Sequence, residues 1–141
     1  MDELTEKLFK AVDAGHYNVA GQLIDQGAIV NESDWDGNSP LHILAKQGKS
    51  EGLTLLIRKG ANVNARNKLG ETPLHLAIEW ACQNRKDLKP GHWAPLAPLS
   101  LIESGADVLA MDNKGEFPRD RAVSWGLSPD GRTPPKRDVE T

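Results

Sequence analysis

Leu69-Gly70-Glu71-Thr72-Pro73-Leu74-His75 and Asp36-Gly37-Asn38-Ser39-Pro40-Leu41-His42, thirty-three residues earlier, are two copies of one phrase. In each, a glycine turn runs into a hydroxyl residue, a proline, a leucine and a histidine. The hydroxyl can cap a helix, and proline suits the first helical position because the N–H it lacks would have had no helical partner. A second phrase keeps the same phase: Gly27-Ala28-Ile29-Val30-Asn31, then Gly60-Ala61-Asn62-Val63-Asn64, then Gly105-Ala106-Asp107-Val108-Leu109. The first two stand thirty-three residues apart and the third forty-five further on, an excess of twelve that one insertion would give. A fixed period of this length marks a repeat architecture. The units run 1–33, 34–66, 67–111 with an insertion at about 81–92, and from 112 onward.

Each unit reads as two short antiparallel helices. In the second, Leu41, Ile43, Leu44 and Ala45 follow Pro40, and Gly48 ends the helix with a residue that tolerates left-handed geometry. Leu53, Leu56 and Ile57 recur at helical spacing in the next helix until Gly60 stops it. Between pairs, Asp36-Gly37 supplies a tight bend. Isolated helices shorter than about 12–15 residues are marginal in water, so neighbouring units must supply the packing.

Pro73-Leu74-His75-Leu76-Ala77 and Gly60-Ala61-Asn62-Val63-Asn64-Ala65 resemble the ankyrin repeat family. The resemblance implies an all-α solenoid of antiparallel helix pairs joined by β-turn or hairpin loops. It also implies a concave face of inner helices, turn tips along one edge, and a role in binding proteins. On this reading residues 1–126 form the repeat domain, with 112–126 a truncated C-terminal cap in which Phe117-Pro118-Arg119-Asp120 replaces the Thr-Pro-Leu-His phrase. Residues 127–141, rich in Pro and Gly and without apolar runs, are expected to be disordered. The structural motif residues are Ser39, Pro40, His42, Thr72, Pro73 and His75, and the resemblance implies that each imidazole hydrogen-bonds the preceding Ser or Thr and ties adjacent turns together.

Composition bounds the remaining possibilities. A chain of 141 residues has the size of one domain. A net charge of −3 argues against the broad basic surface that non-specific nucleic-acid or anionic-lipid binding needs. No apolar run approaches the roughly 20 residues of a membrane span, and the acidic start Met1-Asp2-Glu3 is unlike a secretory leader. A single cysteine, Cys82, cannot form an internal disulfide, which suits a reducing compartment. The expected setting is therefore cytoplasmic, with non-classical secretion as an effector the alternative.

Few residues suggest chemistry. Cys82 and His92 bracket the insertion, but tetrahedral metal sites need four ligands and no Cys-x-x-Cys or His-x-x-x-His accompanies them. A Cys–His nucleophile lacks an orienting third group. Neither a dinucleotide nor a phosphate loop nor a Gly-x-Ser-x-Gly elbow occurs. The expectation is no enzyme, no cofactor and no metal; a metal-binding or catalytic protein using Cys82 and His92 is the less favoured class. Arg85, Lys86 and Lys89 make the insertion basic, too few charges for a nucleic-acid site.

Four of the seven aromatic residues are Trp. Repeat phase, read with the family resemblance, places Trp35, Asp36 and Asn38 at one turn tip, and Arg66, Lys68, Leu69 and Glu71 at the next. Met111 and Lys114, beside Asn113 and Glu116, take the third tip. The exposed end of the inner helix holds Lys46 and Gln47, then Glu79 and Trp80, then Ser124 and Trp125. Trp80 and Trp125 share a slot in successive units, about 8–10 Å apart in a helix stack, so they can form one aromatic patch, with Trp93 near it. Trp is enriched at binding hot spots. The expected partner is another protein, bound by a chain that is monomeric when free, with no nucleic acid and no membrane. The partner would be inhibited, regulated or scaffolded, with a bacterial effector or toxin-immunity role as the alternative context.

Overall fold

The computed structural model describes residues 2–84 and 96–124. Its helices are α1 (Glu3–Ala14), α2 (Tyr17–Asp25), α3 (Pro40–Gln47), α4 (Ser50–Arg58), α5 (Pro73–Gln83), α6 (Leu96–Glu103) and α7 (Pro118–Ser124), with no strand among the described residues. Odd-numbered helices stack as an inner layer, α1 on α3 on α5 on α7, and even-numbered ones as an outer layer, α2 on α4 on α6. Fully buried leucines join the layers: Leu8, Leu41, Leu44, Leu53, Leu56, Leu74 and Leu101. This is the all-α repeat stack that the period implies.

The histidine phrase does two jobs at once. The Ser39 N–H donates to Nδ1 of His42 at 3.1 Å, so that nitrogen carries no proton and Nε2–H is left to donate to the Glu71 carbonyl at 2.8 Å. His75 repeats the arrangement, accepting from Thr72 N–H at 3.1 Å and donating from Nε2 to the Glu116 carbonyl at 2.9 Å. One nitrogen caps its own helix and the other holds the next turn tip. Burial pushes the His42 pKa below the ordinary imidazole value, against the raising effect of its bond to Glu71 and of nearby carboxylates.

Two more ladders run beside this one. Asn31 Oδ1 accepts from Asn62 N–H at 2.7 Å while its amide donates to the Gly60 carbonyl, and Asn64 does the same to Asp107 N–H and the Gly105 carbonyl. At the tips, Lys68 N–H donates to the Asp36 carbonyl at 3.1 Å and Asn113 N–H to the Leu69 carbonyl at 2.9 Å. Gly37 and Gly70, at φ 77° and 74°, sit under these contacts, and a Cβ at either would run into the backbone of the next tip. Glycine is required there by the neighbouring unit as much as by the turn.

The insertion starts differently from its sequence reading. The repeat spacing predicts a loop over Ala81 to Gln83, but these residues continue α5, three residues past the point where α3 stops. Repeat phase puts Ala81 in the slot of Gly48, whose φ of 69° ends α3; alanine offers no left-handed stop, and the helix continues. Ala81 and Cys82 are both buried. Asn84 caps the helix, and the insertion from Arg85 through Lys86, Lys89 and His92, the neighbouring Trp93, and the segment from Trp125 to Thr141 lie outside the described residues.

Replacing His42 with leucine leaves the Ser39 N–H and the Glu71 carbonyl buried without their partner, at a cost of about 1–3 kcal/mol near neutral pH. Because the folded pKa is lowered, the contribution is complete above the ordinary imidazole value of 6.5 and is lost as the pH falls below it. Urea unfolding across that range should therefore show the gap between wild type and His42→Leu narrowing on acidification; a constant gap would contradict the bridge.

Candidate contact face

Tip and groove positions have distinct environments. Trp35 is 92% exposed and Leu69 63%, on adjacent tips joined by the Lys68–Asp36 backbone bond. Lys68, Asp36 and Lys114 are exposed, and Met111 is half exposed. Asn38 is half-buried and accepts from the Asn67 amide at 2.9 Å, and the Arg66 guanidinium donates to the Met111 carbonyl at 2.8 Å, so both also brace neighbouring units. Gln47 is committed in the same way, donating to Asp13 at 2.9 Å.

Between α3 and α5 lies a concavity of about 360 Å³ lined by Lys46, Glu71, Leu76, Glu79, Trp80 and Gln83. The sequence reading places Lys46 next to Glu79 and Trp80 across successive units, and the structure brings these three to the lining of one concavity. Trp80 is half-buried rather than free. Its indole covers Gly48, where any Cβ would collide with the ring. One face of the indole is thus fixed on the preceding helix end, and the ring is held in place for whatever meets its remaining surface. Trp93 and Trp125 lie outside the described residues, so the Trp80–Trp125 patch is not part of this geometry.

Glu71 is a correction. Expected at a tip as a contact residue, it is buried, and its carboxylate pairs with Arg121 of α7 at 2.8 Å. The reason lies in four carboxylates that share one guanidinium: Asp112 at 2.8 Å, Glu79 at 3.0 Å and Glu116 at 3.5 Å complete the set. Burial opposes ionisation of Glu71, but bonds from Asn67 and Arg121 and the charge of Arg121 outweigh it and hold the carboxyl below its ordinary range. Asp112 is held low in the same way, by Arg121 and by the Glu116 and Lys114 backbone N–H groups. Burial likewise works against the guanidinium, and the acids around it push its pKa above the usual value. The period carries the signal for this cluster: Arg121 takes the slot of Ile43 and Leu76, a charge where the repeat has an apolar residue. It locks α7 onto the groove wall through Glu79 and onto the tips through Glu71.

Among the described residues no three His, Cys, Asp or Glu side chains converge as a metal site. Cys82 is buried and its suggested companion His92 lies outside the described residues. No helix among the described residues is long and apolar enough to cross a membrane.

A family model described as ankyrin repeats in three copies matches residues 8–88. Similar proteins include mouse (Mus musculus) rabankyrin-5, 39% identical over an alignment of 83 residues, with 50% of this chain and 7% of that protein covered. An ankyrin repeat-containing protein of Schizosaccharomyces pombe is 32% identical over 74 residues, 52% of this chain and 36% of its own length. A probable E3 ubiquitin-protein ligase of rice (Oryza sativa subsp. japonica), XBOS33, is 37% identical over 98 residues, 68% of this chain and 17% of its own. The chain thus spans well under half the length of each of these relatives.

Replacing Arg121 with methionine leaves four carboxylates facing one another without a counter-charge. Breaking a largely buried ion pair by removing one partner costs about 3 kcal/mol or more, and thermal or urea unfolding measures it. Since Glu71 and Asp112 are held low in the folded chain, their contribution is present at neutral pH and lost as the pH falls through the carboxylate range. The penalty for Arg121→Met should accordingly shrink in acid; a neutral substitution would contradict the shared-guanidinium description.

Proposed function

The chain belongs to the ankyrin repeat family, a protein–protein interaction module, and on that premise we propose that it binds one partner protein through its tips and the Trp80 groove, regulating or occluding that partner without chemistry of its own. The observation that carries this reading is Trp35, left 92% exposed at a tip that is itself rigidly bonded to the next. An indole in water forfeits the burial free energy that large aromatics normally contribute, and Trp is among the residues most enriched at interface hot spots. The tip lies in a stiff ladder, so ordering cost on binding is small.

The groove adds a second anchor. Trp80, with one face locked on Gly48, offers its remaining surface, flanked by Lys46 and Glu79. Trp35 stands on a tip and Trp80 in a concavity of the same stack, an arrangement that suits an elongated contact with a folded protein. A reducing, intracellular setting for the complex is part of the proposal, supported by a lone cysteine that is buried.

Affinity capture with wild type and with Trp35→Ala plus Trp80→Ala tests the reading. Each truncation should weaken the complex by roughly 2 kcal/mol, about thirtyfold, while leaving the melting of the free chain near that of wild type for Trp35→Ala. A partner list unchanged by the double substitution would move the contact face elsewhere.

A further inference from the structure

In the outer layer, α2 is followed by α4 and α4 by α6, whereas among the described residues no helix stands beyond α6. Phase shows what that open side should contain. Ile24 and Ile57, equivalent residues of α2 and α4, are partly buried against the core, while their counterpart Ile102 is 44% exposed. Val30 and Val63 are partly buried as well; their counterpart Val108 is 47% exposed. Leu99, 48% exposed, takes the slot of Gly21, the position against which Leu55 of α4 packs. Leu99 and Ile102 are three residues apart and share one helix face.

The polar contacts at this end have also changed. Asn31 and Asn64 each bond the glycine turn of the following unit, and in the third unit their slot holds Leu109, 61% exposed. A leucine cannot make those bonds, so the asparagine ladder stops at this unit. Its charge is equally specific. Asp25 at the end of α2 pairs across the unit boundary with Lys59, just beyond α4, at 2.7 Å. Glu103 holds the slot of Asp25 on α6, exposed and with no ion pair among the described residues.

We infer that the open side of α6, formed by Leu99, Ile102, Val108 and Leu109 with Glu103 at its rim, docks an amphipathic helix of a second protein that runs parallel to α6 and carries a Lys or Arg just past its last turn. The helix shape follows from the slot, which α4 fills on α2 and α6 fills on α4. The basic residue follows from charge complementarity with Glu103, on the pattern of Asp25 with Lys59. This surface is separate from the tips and the groove and does not depend on their role.

The probe is a fluorescein-labelled peptide of residues 49–60 of this chain, α4 with its Lys59, stapled into a helix on its solvent side, and titrated with the full chain by anisotropy. Saturable binding is expected, weakened about tenfold or more by Leu99→Glu or Leu109→Glu. Glu103→Lys should weaken it severalfold and a Lys59→Glu peptide should restore binding to that variant. Trp80→Ala should leave it unchanged, so the outcome is independent of the groove. Both glutamate substitutions fall on exposed residues, and unaltered melting shows that the chain still folds. No binding at about millimolar peptide, or binding indifferent to Leu99→Glu and Leu109→Glu, overturns the inference. So does a full chain that sediments as a dimer and becomes monomeric with Leu99→Glu, which assigns the surface to a second copy. Binding that appears only when residues 125–141 are deleted overturns it too, in favour of the chain's own C-terminal segment.

Discussion

The imidazole bridge between successive units sets the geometry of everything else. His42 and His75 each accept a hydrogen bond from their own helix cap and donate one to the carbonyl two residues before the next unit's proline. Because a neutral imidazole has one donor and one acceptor in fixed opposition, the bond within a unit determines the direction of the bond between units. Tip-to-tip backbone bonds and the asparagine ladder then fall into register. A helix pair too short to persist alone becomes stable only in this company. The same rigidity holds Trp35 on a fixed tip, so that its exposure is a property of the stack and not of a loose loop.

The fourth unit keeps the local half of the bridge and changes the other half. Asp120 takes the histidine slot, and its carboxylate accepts from the Phe117 N–H at 2.7 Å as Nδ1 does in the earlier units. A carboxylate has no N–H to pass onward. Arg121 supplies a different fastening, drawing Glu71, Glu79, Asp112 and Glu116 around α7. Leu109 replaces the ladder asparagine at the same end. Taken together, the substitutions trade repeat-to-repeat hydrogen bonds for a charge cluster on the inner side and an apolar surface on the outer side.

Most of the fold was legible because it is periodic. Ser39-Pro40 and Thr72-Pro73 mark helix starts, Gly48 and Gly60 mark stops, and phase alone distributes leucines between layers. The site was legible only in part. Phase put Trp35 on an exposed tip and Lys46, Glu79 and Trp80 around one concavity, since position within the unit decides which way a residue faces. It misjudged Glu71, whose environment is decided by Arg121, fifty residues later and joined to it by no periodic rule. It also expected Ala81 to Gln83 in a loop, because an excess of twelve residues says nothing about whether the preceding helix runs on. Single-site electrostatics and helix length are set by neighbours in space, and a period reports only those neighbours that repeat.

Whether the exposed aromatic tip is a contact face can be read one tryptophan at a time. With 5-fluorotryptophan incorporated throughout and each ¹⁹F resonance assigned by a Trp→Phe substitution, the solvent isotope shift between light and heavy water reports the exposure of each indole. Trp35 should show a shift close to that of the free amino acid, Trp80 a smaller one, and both should lose it when a captured partner is added. A Trp35 resonance shielded in the free chain, or one that stays fully solvent-sensitive in the complex, would contradict the tip and groove as the binding surface.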